Sequence, residues 1–189
     1  MIAQANADDL VSIVLLDRAA FPPPERWSGE SWAAEVGHDD HLVLVHRARG
    51  DDSVAESVGS GDGPAPARRT DENDGVTALW RSIAPSSMAA IDAVAAFSVA
   101  DDFGDLLRVI VAPSAQRQGL ATALIRAGLD WMAGKGATRV LLEVSQHNEA
   151  GLALYSGLGF ERLTTRRDYY GPGLDAWVMI RPVEEQAHE

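Results

Sequence analysis

A potential proton acceptor lies in the middle of an apolar run. Glu143 is part of Val140–Ser145, a stretch of mainly Val and Leu that reads as a β-strand. Because alternate side chains of a strand share a face, Glu143 and Leu142 point to opposite faces. A carboxylate in such a strand is costly unless it is paired or used. Two roles are open: an ion pair with Arg139 or Arg108, or acceptance of a proton.

Two further polar candidates belong to the next predicted helix, Asn148–Leu158, which Gly159 would terminate. Tyr155 can donate a proton, but its spacing from Leu152 also suits a core aromatic residue. Asn148 has the position and type of an ordinary N-cap. The spacing alone decides neither role.

An anion-binding turn is predicted earlier in the chain. The apolar run Leu106–Val111 stops before Pro113, and the polar loop Gln116–Ala121 leads into an amphipathic helix. A helix start offers unpaired N–H groups and a partial positive charge, which suit a phosphate. The turn has neither a Walker nor a Rossmann glycine pattern. A plain strand-to-helix connection is the alternative.

The elements that would position these residues alternate between strands and helices. Helices are predicted from Asn6 or Ala7, from Ser28, after Gly119, and from Asn148. Trp27 and Trp32 have the spacing of a hydrophobic staple at the second of these helices. The third helix carries Leu120, Leu124, Ala127 and Trp131 on one face. The predicted strands are Ile2–Ala5, His41–His46, Met88–Val99, Leu106–Val111, Val140–Ser145, Phe160–Thr165 and Leu174–Ile180.

Two strand assignments depend on connections. Met88–Val99 is rich in alanine, so a helix competes, but a turn at Asp101–Asp105 favours a hairpin with Leu106–Val111. Val140–Ser145 follows a strand and a helix, so it should run parallel to Leu106–Val111 through a right-handed crossover. Phe21–Trp27 is either a substrate-facing loop or a connector between helices.

The bulk composition narrows the class of protein. The 189 residues, 46% of them hydrophobic, fit one domain over residues 1–182. A net charge of −12 argues against nucleic-acid binding, and zero cysteines exclude disulfides and thiol nucleophiles. Apolar runs stay below the ~20 residues of a membrane helix, and the N-terminus does not look like a signal peptide. The expected location is the cytoplasm. The histidines are not spaced from carboxylates as metal ligands on a helix would be, so no metal site is predicted.

Two stretches have the composition of disordered chain. Arg49–Gly75 has no aromatic residues and many Gly, Pro and Asp, so it cannot offset the entropy of ordering. We predict a disordered insertion within the domain there. Val76–Ile83 is predicted as a strand or loop edge. Val183–Glu189 carries three acids and is predicted to be a flexible tail.

The motifs resemble those of one enzyme superfamily. The loop Gln116–Ala121, Q-R-Q-G-L-A, resembles the pyrophosphate signature Q/R-x-x-G-x-G/A of the GNAT N-acetyltransferases. Leu141–Phe160 is similar to the L-E-V-R-x-x-N-x-x-A-x-x-L-Y-x-x-x-G-F stretch of its RimI-type branch, the ribosomal-protein-alanine N-acetyltransferases. Thr165–Tyr170 and Asp175–Met179 look like that branch's R-R-x-Y-Y and D-A-x-x-M segments. The resemblance covers Leu106–Pro182 well, and Met1–Arg47 in outline.

The resemblance implies a fold and a set of roles. The fold would be α/β (α+β), a GNAT fold whose mixed, mostly antiparallel sheet has a splayed parallel strand pair and helices on both faces. Glu143 would accept a proton and Tyr155 would donate one, with acetyl-CoA as cosubstrate and no metal. The predicted contacts to acetyl-CoA are made by Val109, Ile110, Val111, Gln116, Arg117, Gln118, Gly119, Leu120, Ala121, Thr122 and Asn148.

The implied reaction is acetyl transfer to the α-amine of a protein N-terminus, with alanine of a small-subunit ribosomal protein as the favoured acceptor. A small-molecule amine or a lysine is the alternative acceptor, and a non-catalytic acyl-CoA-binding regulatory module is the alternative class. Ser145 departs from the branch, which often has Arg there, and the insertion is foreign to its compact pattern. Arg166, Arg167, Tyr169 and Tyr170 would line the acceptor groove, or else form an exposed loop.

Overall fold

A seven-stranded mixed sheet runs through the part of the chain that the computed structural model describes, residues 1–48 and 91–183. The strand order is β1-β2-β3-β4-β5-β7-β6. Within this sheet β4 and β5 pair in parallel, and the other neighbours pair antiparallel. The strands are β1 (Ile2–Gln4), β2 (His41–Arg47), β3 (Ile91–Ala100), β4 (Phe103–Val111), β5 (Arg139–Ser145), β6 (Glu161–Arg166) and β7 (Ala176–Pro182).

Four α-helices of the described chain cover both faces of the sheet. The helices are α1 (Leu10–Ala20), α2 (Gly29–Gly37), α3 (Leu120–Gly134) and α4 (Glu149–Gly157). On β3, Ala95 and Phe97 pack in a core with α3, whereas Val94, equally buried, belongs to the face that α1 contacts. Burial on both faces explains why β3 reads as a nearly continuous apolar run. The predicted mixed, mostly antiparallel sheet is confirmed.

Local signals place the helix starts as predicted. Asn6 accepts a hydrogen bond from the Asp8 N–H at 2.8 Å, and a 3-10 turn over Ala7–Asp9 precedes α1. Ser28 caps α2 by accepting from the Ser31 N–H at 3.0 Å. The predicted staple of Trp27 and Trp32 is present, with ring centroids 4.8 Å apart.

The described part of β3 is a strand, not a helix, but the turn after it is shorter than predicted. Phe103 already pairs with Ala100, so the turn is Asp101–Asp102 instead of Asp101–Asp105. Asp101 adopts a left-handed φ of 54°, which Asp tolerates and which suits a tight hairpin. The predictions for Arg49–Gly75, Val76–Ile83, Met88–Ala90 and the chain beyond residue 183 lie outside the described residues.

The buried face of α3 is also rotated from the predicted one. Gly128 sits against the Phe97 ring so closely that a methyl group at this position would overlap it. This contact brings the helix face around Gly128 onto the sheet and leaves Leu120, Ala127 and Trp131 only partly buried. The α3 residues buried on this face are Leu124, Ile125, Gly128, Leu129 and Met132. Within the described chain, no helix combines the length and apolar character needed to cross a bilayer.

Candidate active site

A cleft opens where the parallel strands separate. Phe103–Leu106 of β4 pairs with Arg139–Leu142 of β5, and the parallel ladder ends there. A β-bulge places Leu107 as an extra residue opposite β3, because Phe97 faces Leu106 and Ala96 faces Arg108. Beyond this bulge, β3 is the one described strand that still pairs with β4. The other edge of β4 therefore presents backbone groups to the cleft.

The cleft has a volume of about 540 Å³ and collects residues from five segments. They come from the connection between α1 and α2, from β4, from β5, from α4, and from the loop between β6 and β7. The lining residues are Phe21, Pro24, Glu25, Leu106, Leu107, Arg108, Val109, Glu143, Val144, Ser145, Asn148, Tyr155, Tyr169 and Tyr170. Four predicted site residues, Val109, Glu143, Asn148 and Tyr155, thus share one cleft.

Glu143 lies on the cleft face of β5, with alternating neighbours buried on the opposite face as predicted. Its ion-pair partner is Arg166 at the end of β6, so the predicted pairing with Arg139 or Arg108 is wrong. Arg139 instead stacks on the Phe103 ring at 5.2 Å, and Arg108 binds another acid. Such pairs depend on strand order, which local spacing does not encode.

Glu143 affects the pKa values of two neighbouring residues, Asp105 and Tyr169. Asp105 faces Leu141 across the parallel ladder and therefore lies on the same sheet face as Glu143. Burial raises the pKa of Asp105, and the charge of Glu143 raises it further. Hydrogen bonding to Glu143 raises the pKa of Tyr169, burial and the charge of Glu143 raise it further, and the charge of Arg166 lowers it. Both shifts favour the protonated, neutral forms of Asp105 and Tyr169 near Glu143.

Tyr155 is both a packed aromatic and a cleft residue. Its ring makes an edge contact with Phe160, with centroids 6.1 Å apart, and its side chain lines the cleft. Burial, and then the neighbouring Tyr170, raise the pKa of Tyr155 to about 12. The phenol therefore keeps its proton at neutral pH, as a proton donor requires.

Asn148 likewise combines two features. Its Oδ1 accepts a hydrogen bond from the Gly151 N–H at 2.9 Å, which makes it the N-cap of α4 as predicted. The residue also lines the cleft. Gly159 terminates the following turn with a left-handed φ of 84°.

Two residues of the predicted anion-binding turn have a left-handed backbone conformation. Arg117 and Gly119 have left-handed φ values of 62° and 77°, and α3 begins at Leu120. The Ala123 N–H donates to the Gly119 carbonyl at 3.0 Å, and the three preceding amides, Leu120 to Thr122, have no backbone acceptor among the described residues.

The side chains of this loop support its shape. Gln116 Nε2 donates to the Val111 carbonyl at 3.3 Å, and Gln118 Nε2 donates to the Ser114 carbonyl at 3.4 Å. The cleft lining does not include Ile110 and Val111, which form the C-terminal end of β4, or the loop that follows them. Ile110 and Val111 continue the β4 edge that the cleft exposes.

Comparison with known proteins assigns the family. The family model described as "Acetyltransferase (GNAT) family" matches residues 25–160. The chain belongs to the GNAT acetyltransferase family. This confirms the predicted resemblance to the GNAT superfamily.

Two curated relatives bear on the branch of this GNAT chain. It is 40% identical over 96 residues to the [Ribosomal protein bS18]-alanine N-acetyltransferase of Escherichia coli K12, covering 48% of this chain and 65% of that enzyme. It is 37% identical over 160 residues to a mycothiol acetyltransferase of a Nocardioides species, covering 83% of this chain and 48% of that enzyme.

A solved structure agrees with the GNAT architecture. The crystal structure of the ribosomal-protein-S18-alanine N-acetyltransferase from Escherichia coli matches with a TM-score of 0.68 and 23% identity, covering 100% of this chain and 99% of that one. The predicted GNAT fold with a splayed parallel pair is therefore confirmed.

Sequence reasoning anticipated two tyrosines of this GNAT site but missed one ion pair. Tyr169 and Tyr170 line the cleft as one prediction had it, and Arg167 is exposed. Asp17 and Arg108, 91 residues apart, form a partly buried ion pair, and Arg108 also lines the cleft. The available signal was Asp17 on the apolar side of α1, where an acid needs a partner. Within the described residues, no group of three or more His, Asp or Glu side chains could hold a metal ion.

Proposed function

We propose that this GNAT chain transfers the acetyl group of acetyl-CoA to the α-amine of a protein N-terminus. The favoured acceptor is the N-terminal alanine of a small-subunit ribosomal protein. The observation that carries the proposal is that a carboxylate, Glu143, and a protonated phenol, Tyr155, line the same cleft beside the open edge of β4. The similarity to the bS18-alanine enzyme supports the choice of acceptor.

The residues present fit acetyl-CoA as a cosubstrate. The edge of β4 at Val109–Val111 can pair with an amide-containing arm as an added strand would. Amides of the Leu120–Thr122 turn and the left-handed Gly119 offer a cradle for a diphosphate. Asn148 lines the cleft itself. Val109–Val111 belong to β4, and Leu120–Thr122 begin α3, the α-helix that follows β4 along the chain.

The chemistry divides between two side chains. An attacking amine forms the new N–C bond, and Glu143 takes its proton, directly or through water. As the C–S bond breaks, Tyr155 supplies a proton to the departing sulfur. An α-amine has an ordinary pKa of about 8, so a carboxylate base suffices for deprotonation. Arg166 must yield its contact with Glu143, or share it, during this transfer.

One experiment tests the proposal against its alternative acceptors. Purified chain is incubated with acetyl-CoA and with peptides that begin with Ala, the same peptides with blocked α-amines, lysine-containing peptides, and free small-molecule amines. Mass spectrometry then locates the acetyl group. Acetylation of the free α-amine supports the proposal, whereas acetylation of lysine or free amines alone contradicts it.

A small-molecule amine is the second candidate acceptor. The similarity to the mycothiol acetyltransferase extends over more of this chain than does that to the bS18-alanine enzyme. The same assay distinguishes them. A non-catalytic acyl-CoA-binding module would bind acetyl-CoA but acetylate none of these amines.

A further inference from the structure

Arg108 is enclosed by the segment Phe21–Trp27, here called the 21–27 loop. Its Nη1 donates to Asp17 Oδ2 at 2.6 Å, and its Nη2 donates to the Glu25 carbonyl at 2.6 Å. Its guanidinium carbon lies 4.2 Å from the Phe21 ring centroid and 4.7 Å from that of Trp27. One side chain of β4 therefore contacts both ends and the middle of the loop.

Asp17 extends this connection to α1 and α2. It is 0% exposed, and its Oδ1 accepts from the Trp27 N–H at 3.1 Å. Its Oδ2 accepts from the Trp32 indole N–H at 3.3 Å as well as from Arg108. A buried carboxylate needs a cation and hydrogen bonds together, and these donors meet both needs.

The bulge in β4 directs Arg108 to this position. Leu107 is the extra residue, and Arg108 pairs with Ala96 after it. Because side chains alternate between faces, a ladder without the extra residue would turn Arg108 to the α3 face. The bulge that helps to open the cleft therefore also brings Arg108 beneath the 21–27 loop.

The charge of Arg108 is already satisfied, which argues against a direct role in anion binding. Asp17 neutralises it, and two aromatic faces cover it. The loop itself also lines the cleft, because Phe21, Pro24 and Glu25 are among the residues that surround it together with Glu143 and the tyrosines. The backbone of β4 after Arg108 is the edge proposed for acetyl-CoA.

We infer that Arg108 is a positioning residue that, with Asp17, holds the 21–27 loop against β4 and so sets the wall against which the acceptor binds. This inference rests on the proposed function for its acceptor. It assigns to Arg108 an effect on acceptor binding and none on acetyl-CoA affinity.

The test replaces Arg108 with Lys. Lysine keeps the charge but lacks the planar fork that reaches Asp17 and the Glu25 carbonyl together and stacks between rings. The KM for an Ala-starting peptide should rise about tenfold, which corresponds to about 1.4 kcal/mol of lost acceptor binding. The acetyl-CoA dissociation constant, measured by calorimetry, should stay unchanged. Hydrogen exchange at the Trp27 amide should accelerate.

The chain offers a matched control. Arg47 Nη2 on β2 donates to Asp9 Oδ1 and Oδ2 at 2.8 and 2.7 Å, and this partly buried Arg–Asp pair lies outside the cleft lining. Arg47→Lys makes the same substitution and should leave the peptide KM and the exchange of the 21–27 loop unaltered. A second variant, Asp17→Asn with Arg108→Gln, leaves no buried charge unpaired and should also raise the peptide KM.

The outcomes separate this inference from the proposed function. If the wild-type chain acetylates α-amines but both folded variants keep its peptide KM, the inference fails and the function stands. A parallel loss of acetyl-CoA affinity would assign Arg108 to the cosubstrate instead and overturn the inference. If the wild type acetylates no α-amine, the function fails. Unchanged hydrogen exchange of the 21–27 loop in Arg108→Lys refutes the anchoring role whatever the acceptor.

Discussion

The substitution Glu143→Gln separates proton acceptance from structure. Glutamine keeps the size of the side chain and an oxygen for the contact with Arg166, but it cannot accept the amine proton. The Glu143 side chain is 29% exposed and that of Arg166 is 54% exposed, so their ion pair is solvent-screened and contributes little to stability. We therefore expect a melting temperature close to that of the wild type, with a large loss of activity.

The size of that loss follows from the proposed role. General base catalysis accelerates reactions by about 10²–10⁴, so turnover should fall by this factor. The corresponding rise in the activation barrier is about 2.7–5.4 kcal/mol. Above the amine pKa of about 8 the substrate is already neutral, and the loss should shrink there. The assay is a pH–rate profile with an Ala-starting peptide at saturating acetyl-CoA.

A matched control and a refuting result complete the test. Glu161→Gln makes the same change at an exposed position of β6 outside the cleft lining and should keep wild-type turnover. Turnover of Glu143→Gln within about threefold of the wild type would show that Glu143 is not the general base. A loss that does not shrink at high pH would also contradict the reasoning.

Four further predictions follow from the geometry. Tyr155→Phe should lower kcat with little change in acetyl-CoA affinity. Raising the pH should not restore kcat, because the missing group is an acid with a pKa of about 12. A near-normal kcat would show that the phenol has only a structural role. Gly119→Val should weaken acetyl-CoA binding in calorimetry, since a β-branched residue is strained at a φ of 77°, and unchanged affinity would contradict the cradle. Gly128→Ala should destabilise the fold by about 1–3 kcal/mol in denaturant unfolding, because the added methyl group overlaps the Phe97 ring. The control Gly134→Ala, with open space around its Cβ, should be neutral or stabilising. Equal effects of the two variants would refute the packing argument. The raised pKa of Asp105 means that its charge disfavours folding, so Asp105→Asn should stabilise the fold at neutral pH. This gain in stability should vanish as the pH falls below 3.8, the ordinary pKa of an Asp carboxyl. A gain that does not depend on pH would contradict the direction of the pKa shift.

Local sequence determined the elements and much of the proposed site. Period-two alternation places Glu143 on the face opposite Leu142, and the structure confirms both positions. Ser28 and Asn148 cap their helices as their residue types predict, because capping involves atoms only a few residues apart. The order of strand, helix and strand predicts the parallel pair of β4 and β5.

Tertiary structure decided which distant groups meet. Glu143 pairs with Arg166, 23 residues away, and Arg108 with Asp17, 91 residues away, because sheet order and a bulge bring them together. The rotated face of α3 follows from the fit of Gly128 against Phe97, which depends on the shapes of two separate elements. Spacing along a chain encodes the period of one element, whereas ion pairs and packing depend on how several elements are placed in space.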